Sequence, residues 1–415
     1  MMNTHFLTKI LIENIRNLKN IEIPLSDTTC KHLILTGKNG SGKTSVLEAL
    51  AAYLSQYMLD INTIGSLTFQ MEECNRISKK LENPNLSALE RKQLESNLKN
   101  SQSFPQQYFQ GVVASIQDET SMQAKALDGK FIIAYYKAER QYKASNEKHI
   151  EKVTFKDQYN LQEFPGRNFV KYLLDMKSTE ALAKTSGREE RAAAIGRWFQ
   201  NFESVLQQIF DDTQLYLDFD IDTYEFKIIE PGKEPFSFDT LSSGYAAVLD
   251  IITDLMMRME KKSGKTYDLE GIVLIDEVET HLHLALQKNI LPMLTKLFPN
   301  IQFVVTTHSP FILNSIANVV IYDLANHTLV QSDEGLSNLP YEGIVDGYFG
   351  ASRLSSALTE KYERYKILAT KTSLSDNDYE EIIQLENYLD EIPDYLALSI
   401  MSDYTKIKLE LANRE

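Results

Sequence analysis

The segment Gly37-Lys38-Asn39-Gly40-Ser41-Gly42-Lys43-Thr44 restricts this chain more than any other. It follows an apolar run, His32-Leu33-Ile34-Leu35-Thr36, and leads through Ser45 into a stretch where Val46, Leu47, Leu50, Ala51, Leu54 and Met58 keep helical spacing. The pattern G-x4-GK[ST] therefore sits where its physics requires, between a strand and a helix. Glycines let successive backbone N–H groups converge on phosphate oxygens, and the helix start adds the positive end of its dipole. Lys43 is placed to reach β and γ phosphates and Thr44 to ligate Mg2+, with Gly37, Asn39, Gly40, Ser41, Gly42 and Ser45 completing a cradle for ATP.

Three further segments bear on the same chemistry. Gly271-Ile272-Val273-Leu274-Ile275-Asp276-Glu277 is an apolar run ending in two carboxylates, as in a buried parallel strand that delivers both to the carboxyl edge of a sheet. Asp276 would hold the Mg2+ hydration shell and Glu277 would polarise the attacking water as general base. Ile301-Gln302-Phe303-Val304-Val305 runs into Thr306-Thr307-His308, which puts His308 at that edge and beside a γ-phosphate. Leu241-Ser242-Ser243-Gly244 precedes a helix carrying Ala247, Leu249, Ile251, Ile252, Leu255 and Met256, so Ser hydroxyls and free N–H groups of Ser242, Ser243 and Gly244 are available at a helix start.

Taken in order, Gly37 to Thr44, Leu241 to Gly244, Asp276-Glu277 and His308 resemble the head of ATP-binding cassette (ABC) ATPases, in the branch of SMC-like and recombination-repair ATPases. The resemblance covers about residues 6 to 325. It implies a catalytic set of Lys43, Glu277 and His308, and a head-to-head homodimer in which the 242–244 turn of one copy closes over the ATP of the other. It also implies that Arg16 turns toward the phosphates and that Gln141 joins Thr44 and Asp276 at Mg2+. The run Asp276-Glu277-Val278-Glu279-Thr280-His281-Leu282-His283 further resembles the D-E-x-E-x-H-L-H run of overcoming-lysogeny-type ATPases and of Septu and retron-associated anti-phage systems. Leu284 stands where such sequences often have Pro, and Leu-Ser-Ser-Gly-Tyr stands where transporters show Leu-Ser-Gly-Gly-Gln.

The expected fold is α/β: an ABC-type ATPase head, with a mixed sheet around the phosphate loop and an antiparallel β subdomain, bearing helical insertions and a helical carboxyl-terminal tail. Alternation over Phe6–Ile12 and Leu18–Ile23 predicts an antiparallel strand pair. The organisation reads as residues 1–66 for the first part of the head, 67–129 for a helical insertion, 130–340 for the rest of the head and 341–415 for a helical region. Within the insertion, residues 67 to 100 read as a short helical hairpin whose arms are only about 20–25 Å long. Ser87-Ala88-Leu89-Glu90 is a capping-box start for the second arm.

Charge and composition narrow the classes. With 43 Lys and Arg against 58 Asp and Glu in 415 residues, the formal charge is −15, so the average surface repels nucleic acid and anionic membrane. Contact with nucleic acid would need a local patch, for which Tyr135 to Lys143 with Lys148, Lys152 and Lys156 is the candidate. Cys30 and Cys74 are the two cysteines and have no metal-like spacing. No apolar run reaches a membrane span and the amino terminus lacks a secretory pattern, so a cytoplasmic protein without a membrane partner is expected. Asp218, Asp220 and Asp222 fit the wet face of a strand better than a metal cluster, and His281 with His283 lacks a third ligand.

The tail from Lys371 to Lys406 has nine acidic residues and no other Lys or Arg, a solvated face or a docking surface for a basic partner. It lacks an acidic strand cluster of nuclease type, so any nuclease or toxin would be a separate effector chain. The leading expectation is a sensor or regulatory ATPase of an anti-phage complex. The alternatives are an SMC-like repair or recombination ATPase that binds DNA itself and, last, a transporter's nucleotide-binding subunit.

Overall fold

Alternating apolar residues in the first segments place one face of each strand inward. In the computed structural model, which describes residues 4–58, 69, 73–74, 76–83, 86–109, 111–140, 150–331, 356–371, 373–390 and 398–412, β1 (Leu7–Ile15) pairs antiparallel with β2 (Leu18–Pro24). Ile10, Ile12, Ile21 and Ile23 face the core. β3 (His32–Thr36) then enters a different, six-stranded sheet and hands over to the helix Lys43–Gln56. That helix buries Val46, Leu47, Leu50 and Leu54 in the core shared by the two sheets. Each such side chain contributes about 1.5–3 kcal/mol by leaving water.

The segment 67–129 departs from the helical insertion expected of it. Its second arm, Ala88–Phe109, has 22 residues and spans about 33 Å, longer than the arm read from sequence. The capping box is present: Ser87 Oγ accepts from Glu90 N–H at 3.3 Å, and Glu90 accepts from Ser87 N–H at 3.0 Å. The chain then re-enters the head. β4 (Val112–Ile116) pairs antiparallel with β1 to complete a sheet of order β2-β1-β4, and the helix Glu119–Leu127 follows. Val-Val-Ala-Ser-Ile has too little alternation to announce a strand; long-range pairing with β1 makes it one. The proposed boundaries at 66/67 and 340/341 lie outside the described residues.

β5 (Phe131–Tyr136) takes one edge of the six-stranded sheet. The helices Phe169–Thr185 and Glu189–Phe210 pack on one another, and Phe169, Trp198 and Phe202 form an aromatic cluster with ring centroids 5.1–6.4 Å apart. β6 (Tyr216–Asp220), β7 (Glu225–Ile229) and β8 (Phe236–Ser237) form a second small antiparallel sheet. Asp220 there accepts the N–H groups of Asp222 and Thr223, so its carboxylate closes the β6–β7 turn.

After the helix Ser243–Ser263 come β9 (Glu270–Ile275), the helix Leu284–Leu297, β10 (Ile301–Thr306), β11 (Val319–Asp323) and β12 (Thr328–Gln331). The large sheet has order β12-β11-β3-β10-β9-β5, parallel except for the antiparallel β12. This is the α/β ATPase head expected, with its phosphate-loop sheet and antiparallel subdomain. No helix among the described residues is long and apolar enough to cross a membrane.

The chain divides into two compact units, Met1–Asn338 and Leu339–Glu415. In the second, the helices Ser356–Ala369, Asp376–Asp390 and Leu398–Ala412 enclose Tyr365, Leu368, Leu385, Leu389 and Tyr404. Part of its acidic charge is answered internally. Arg364 grips Glu381 through two nitrogens at 2.8 and 2.7 Å, Lys371 reaches Asp378 at 2.7 Å and Lys408 reaches Asp390 at 2.7 Å.

A buried ion pair fastens the helix Ser243–Ser263 to the head. Arg258 Nε donates to Asp254 Oδ2 at 2.7 Å, with both side chains no more than 2% exposed. Asp254 also accepts Tyr136 O–H at 2.8 Å and Gly166 N–H at 2.9 Å, while Arg258 donates to the carbonyls of Tyr159, Asn160 and Glu163. Removing one partner strands the other charge. Arg258→Ala is therefore expected to cost about 3–5 kcal/mol of stability, read as a lowered midpoint in denaturant, and a wild-type midpoint would contradict this account.

Candidate functional site

β3, β10 and β9 are adjacent and parallel, so the segments that leave their carboxyl ends meet at one edge. From β3 comes the glycine loop. Gly42 has φ +98°, a conformation that strains any residue with a side chain, and lies so near the β1–β2 hairpin that an added Cβ would stand 2.9 Å from Leu18 Cδ1 and push that side chain aside. The helix begins at Lys43 with no side-chain cap, and the first backbone bond back into the loop is Val46 N–H to Gly42 O at 2.9 Å. The N–H groups of Lys43, Thr44 and Ser45 thus stand at an uncapped helix start, which suits an anion.

Lys43 is 6% exposed and folds over its own loop, donating from Nζ to Gly37 O at 3.0 Å. Burial lowers its pKa, while the charges of Glu277, Glu279, Asp276 and Asp323 raise it. Ser41 Oγ is buried without a partner among the described residues. A phosphate would give Ser41 Oγ a partner and offer Lys43 Nζ a charged acceptor in place of the Gly37 carbonyl. Asp323, at the end of β11, accepts Ala325 N–H at 2.7 Å and closes the far side of Gly37, whose added Cβ would lie 3.2 Å from Asp323 Oδ1.

β9 delivers Asp276 and Glu277. Asp276 Oδ1 accepts Thr306 O–H at 2.6 Å and Thr44 O–H at 3.3 Å, joining the glycine-loop helix, β9 and β10 at one oxygen. Thr306 Oγ1 in turn accepts Glu277 N–H at 2.7 Å. Glu277 has φ +42°, a strained conformation for a residue with a side chain, and it must be held there. Arg140 helps to hold it. Its guanidinium, in a residue 8% exposed, donates to the carbonyls of Asp276 at 3.2 Å, Glu277 at 3.0 Å and Val278 at 3.4 Å.

β10 delivers His308. Its N–H donates to Glu279 Oε1 at 2.5 Å, and its ring Nε2 is buried without a partner among the described residues. Burial, and then the charge of Lys43, lower the His308 pKa, which favours the neutral ring.

The other expected residues are placed differently. Ser242 and Ser243 are exposed at the start of their helix, and among the described residues no hydrogen bond links 242–244 to the glycine loop. Gly244 instead packs on the turn that follows Glu277: an added Cβ would stand 2.8 Å from His281 O, and the Tyr245 ring meets His283 edge-on at 5.8 Å. Arg16 is exposed with φ +53° in the β1–β2 turn, two residues before the Leu18 that abuts Gly42. Gln141, with Lys143 and Lys148 of the basic strip, lies outside the described residues. Lys156 pairs with Glu163, and Lys171 pairs with Glu151, so this strip is interleaved with ion pairs.

Sequence reading missed Arg140, Asp323 and Thr306. Arg140 was grouped with a basic, aromatic strip, whereas the informative signal was its place just past a buried strand that neighbours β9.

Comparison with known proteins agrees with this chemistry. The family described as "AAA ATPase domain" matches residues 6–104, and that described as "AAA domain, putative AbiEii toxin, Type IV TA system" matches residues 115–314. "Septu protein PtuA" of Bacillus mycoides is 26% identical over 92% of this chain and 50% of the relative. The "Retron Ec83 probable ATPase" of Escherichia coli is 31% identical over 36% of this chain and 29% of its own length. This chain is an ATPase, similar to the Septu and retron proteins. The "Retron Vc95 probable ATPase" of Vibrio cholerae is 23% identical over 69% of this chain and 67% of its length. The ATPase thus spans about half the length of the Septu relative and less than a third of the Ec83 relative.

The Arg140 clamp predicts a separable kinetic effect in this ATPase. Arg140→Met should lower kcat by about tenfold or more while ATP affinity stays within about threefold, because the carbonyls it holds belong to the turn bearing Glu277 and not to the phosphate cradle. Arg140→Lys should not restore turnover, since one ammonium cannot reproduce the fork. Steady-state hydrolysis and equilibrium nucleotide binding measure the two effects separately.

Proposed function

We propose that this protein is a regulatory ATPase of an anti-phage complex, in which two copies close head to head on ATP and Mg2+ and thereby control a separate nuclease or toxin. The observation that carries the reading is the division of the site: the glycine loop, Asp276, Glu277 and His308 converge on one sheet edge, while the 242–244 turn, with Ser242 and Ser243 exposed, has no hydrogen bond to that loop among the described residues. A second copy would bring its own 242–244 turn over the nucleotide. The match to a Septu protein over 92% of this chain supports the defence setting.

The roles follow from the geometry. Backbone N–H groups from Gly40 to Ser45 would bind the phosphates, with Lys43 leaving the Gly37 carbonyl to reach them. Thr44 Oγ1 and Asp276 Oδ1, 3.3 Å apart, are both hard oxygen donors and suit one Mg2+. When bound, that ion supplies charge neutralisation to the phosphates. Glu277, its backbone held by Thr306 and Arg140, would accept the proton of the attacking water, and neutral His308 would hydrogen-bond the γ-phosphate. Arg16, exposed in the β1–β2 turn, would turn toward the same phosphates, and Gln141, which lies outside the described residues, would be the further Mg2+ contact that the family resemblance implies.

Glu277→Gln removes the base and leaves the cradle intact. It should lower kcat by about 100-fold or more, retain ATP and shift the protein to a dimer in light scattering. Ser243→Arg alters an exposed residue and should abolish ATP-dependent dimerisation and turnover while each chain still binds ATP. Wild-type turnover in both variants would refute the two-headed site. The effector role is tested by isolating the Glu277→Gln protein from its host with ATP and Mg2+. A nuclease or toxin in the complex, together with loss of phage protection on Lys43→Ala, is expected; DNA alone would favour the repair reading.

A further inference from the structure

The turn after β9 carries a third carboxylate to which the reading above gives no task. Glu279 lies beyond the Asp276-Glu277 pair, and its side chain turns back across the sheet edge toward β10. There Oε1 accepts the N–H of His308 at 2.5 Å. The two neighbours of His308 are also fastened: Thr307 N–H donates to Leu35 O at 3.1 Å, and Ser309 N–H donates to Thr307 Oγ1 at 2.9 Å. Ser309 Oγ further donates to Gln287 Oε1 at 2.7 Å. The His308 peptide is thus the central bond of a braced turn, and Glu279 is the group that takes it.

A side-chain oxygen that accepts a backbone N–H holds that peptide in one orientation and so fixes the direction in which the His308 side chain leaves the backbone. At His308 that side chain ends in a buried Nε2 with no partner among the described residues. Glu279 Oε2 is likewise buried without a partner among them, so the fold saturates only the oxygen that faces the His308 backbone. Glu279 follows Asp276 by three residues and His308 follows Thr306 by two, and Asp276 Oδ1 joins Thr306 to Thr44, so both stand at the sheet edge that carries the glycine loop.

We propose that Glu279 is a positioning residue for hydrolysis: its carboxylate anchors the His308 backbone and so aims the His308 ring at the γ-phosphate. This deepens the reading of the site and rests on His308 acting there. The anchor needs an acceptor oxygen at the end of a side chain of this length, not a negative charge. Glutamine supplies that oxygen and alanine does not.

The experiment is a steady-state ATPase cycle on the full chain with Glu279→Ala, Glu279→Gln, His308→Ala and the Glu279→Ala/His308→Ala double variant, alongside binding of a fluorescent ATP analogue and thermal melting. Glu279→Ala should lower kcat about 10- to 100-fold with KM within about threefold, because a misdirected catalytic group affects turnover more than binding. Glu279→Gln should stay within about threefold of wild type in kcat. The double variant should be no more than about threefold slower than His308→Ala, since two groups acting as one unit are not additive.

Wild-type turnover in Glu279→Ala, a folded Glu279→Gln as slow as the alanine variant, or an additive double variant would each overturn the proposal. If Glu279→Ala fails to melt cooperatively, the folded glutamine variant decides: turnover near wild type upholds the anchor and loss of turnover removes it. Failure of the underlying reading looks different. It would appear as undiminished turnover in His308→Ala, or as wild-type protein no faster than Lys43→Ala.

Discussion

A single carboxylate oxygen, Asp276 Oδ1, ties together three segments that are remote in sequence. It receives the hydroxyl of Thr44 from the glycine-loop helix and that of Thr306 from β10, while its own residue ends β9. That convergence is possible because β3, β10 and β9 are neighbours and run in the same direction, so their carboxyl ends form one edge. The rest of the head serves this edge. The helix Lys43–Gln56 is held between two sheets, and the β1–β2 hairpin closes over Gly42.

The electrostatics of the edge depend on burial. Lys43 is surrounded by Asp276, Glu277, Glu279 and Asp323, and burial acts on its pKa more strongly than these charges do. Four acids around one lysine leave the site poised for additional positive charge, which a divalent cation would supply. Arg140 contributes differently. It feels Asp250, Glu279, Asp276 and Glu277, yet its hydrogen bonds go to backbone carbonyls, so it acts on the shape of the Glu277 turn.

A second linkage relates the 242–244 turn, with its exposed Ser242 and Ser243, to the rest of the head. The helix that begins at Ser243 is anchored farther along by Asp254 and Arg258 to Tyr136 at the end of β5 and to the segment around 159–166. Its first turn rests on His281 and His283. The sequence motif with two histidines thereby acquires a packing role at the base of the turn. A cavity of about 830 Å³ lies among the helix Lys43–Gln56, the end of β5, the segment 161–167 and Asp250, with Glu48, Arg140 and Arg167 in its lining. The pKa of the half-buried Asp250 carboxyl is pushed up to about 6, first by burial and then by the charge of Asp254.

The sequence by itself determined the glycine loop, the two carboxylates at the end of a buried strand, the position of His308 and the α/β class. Each of these is a local pattern: apolar runs of strand length, glycines at fixed spacing and polar residues just past a strand end. Tertiary structure decided the remainder. Val112–Ile116 became a strand because β1 offered it an edge, although its own alternation is weak. Arg140 became part of the site because β5 lies beside β9, a neighbour relation that no spacing along the chain encodes. The acidic stretch from Lys371 to Lys406 reads in sequence as a solvated face or a docking surface, whereas in the fold Arg364 and Lys408, from outside that stretch, pair with Glu381 and Asp390 across helices. Local patterns depend on bonds between residues near in sequence, whereas strand order, guanidinium reach and ion pairing depend on which distant segments fold side by side.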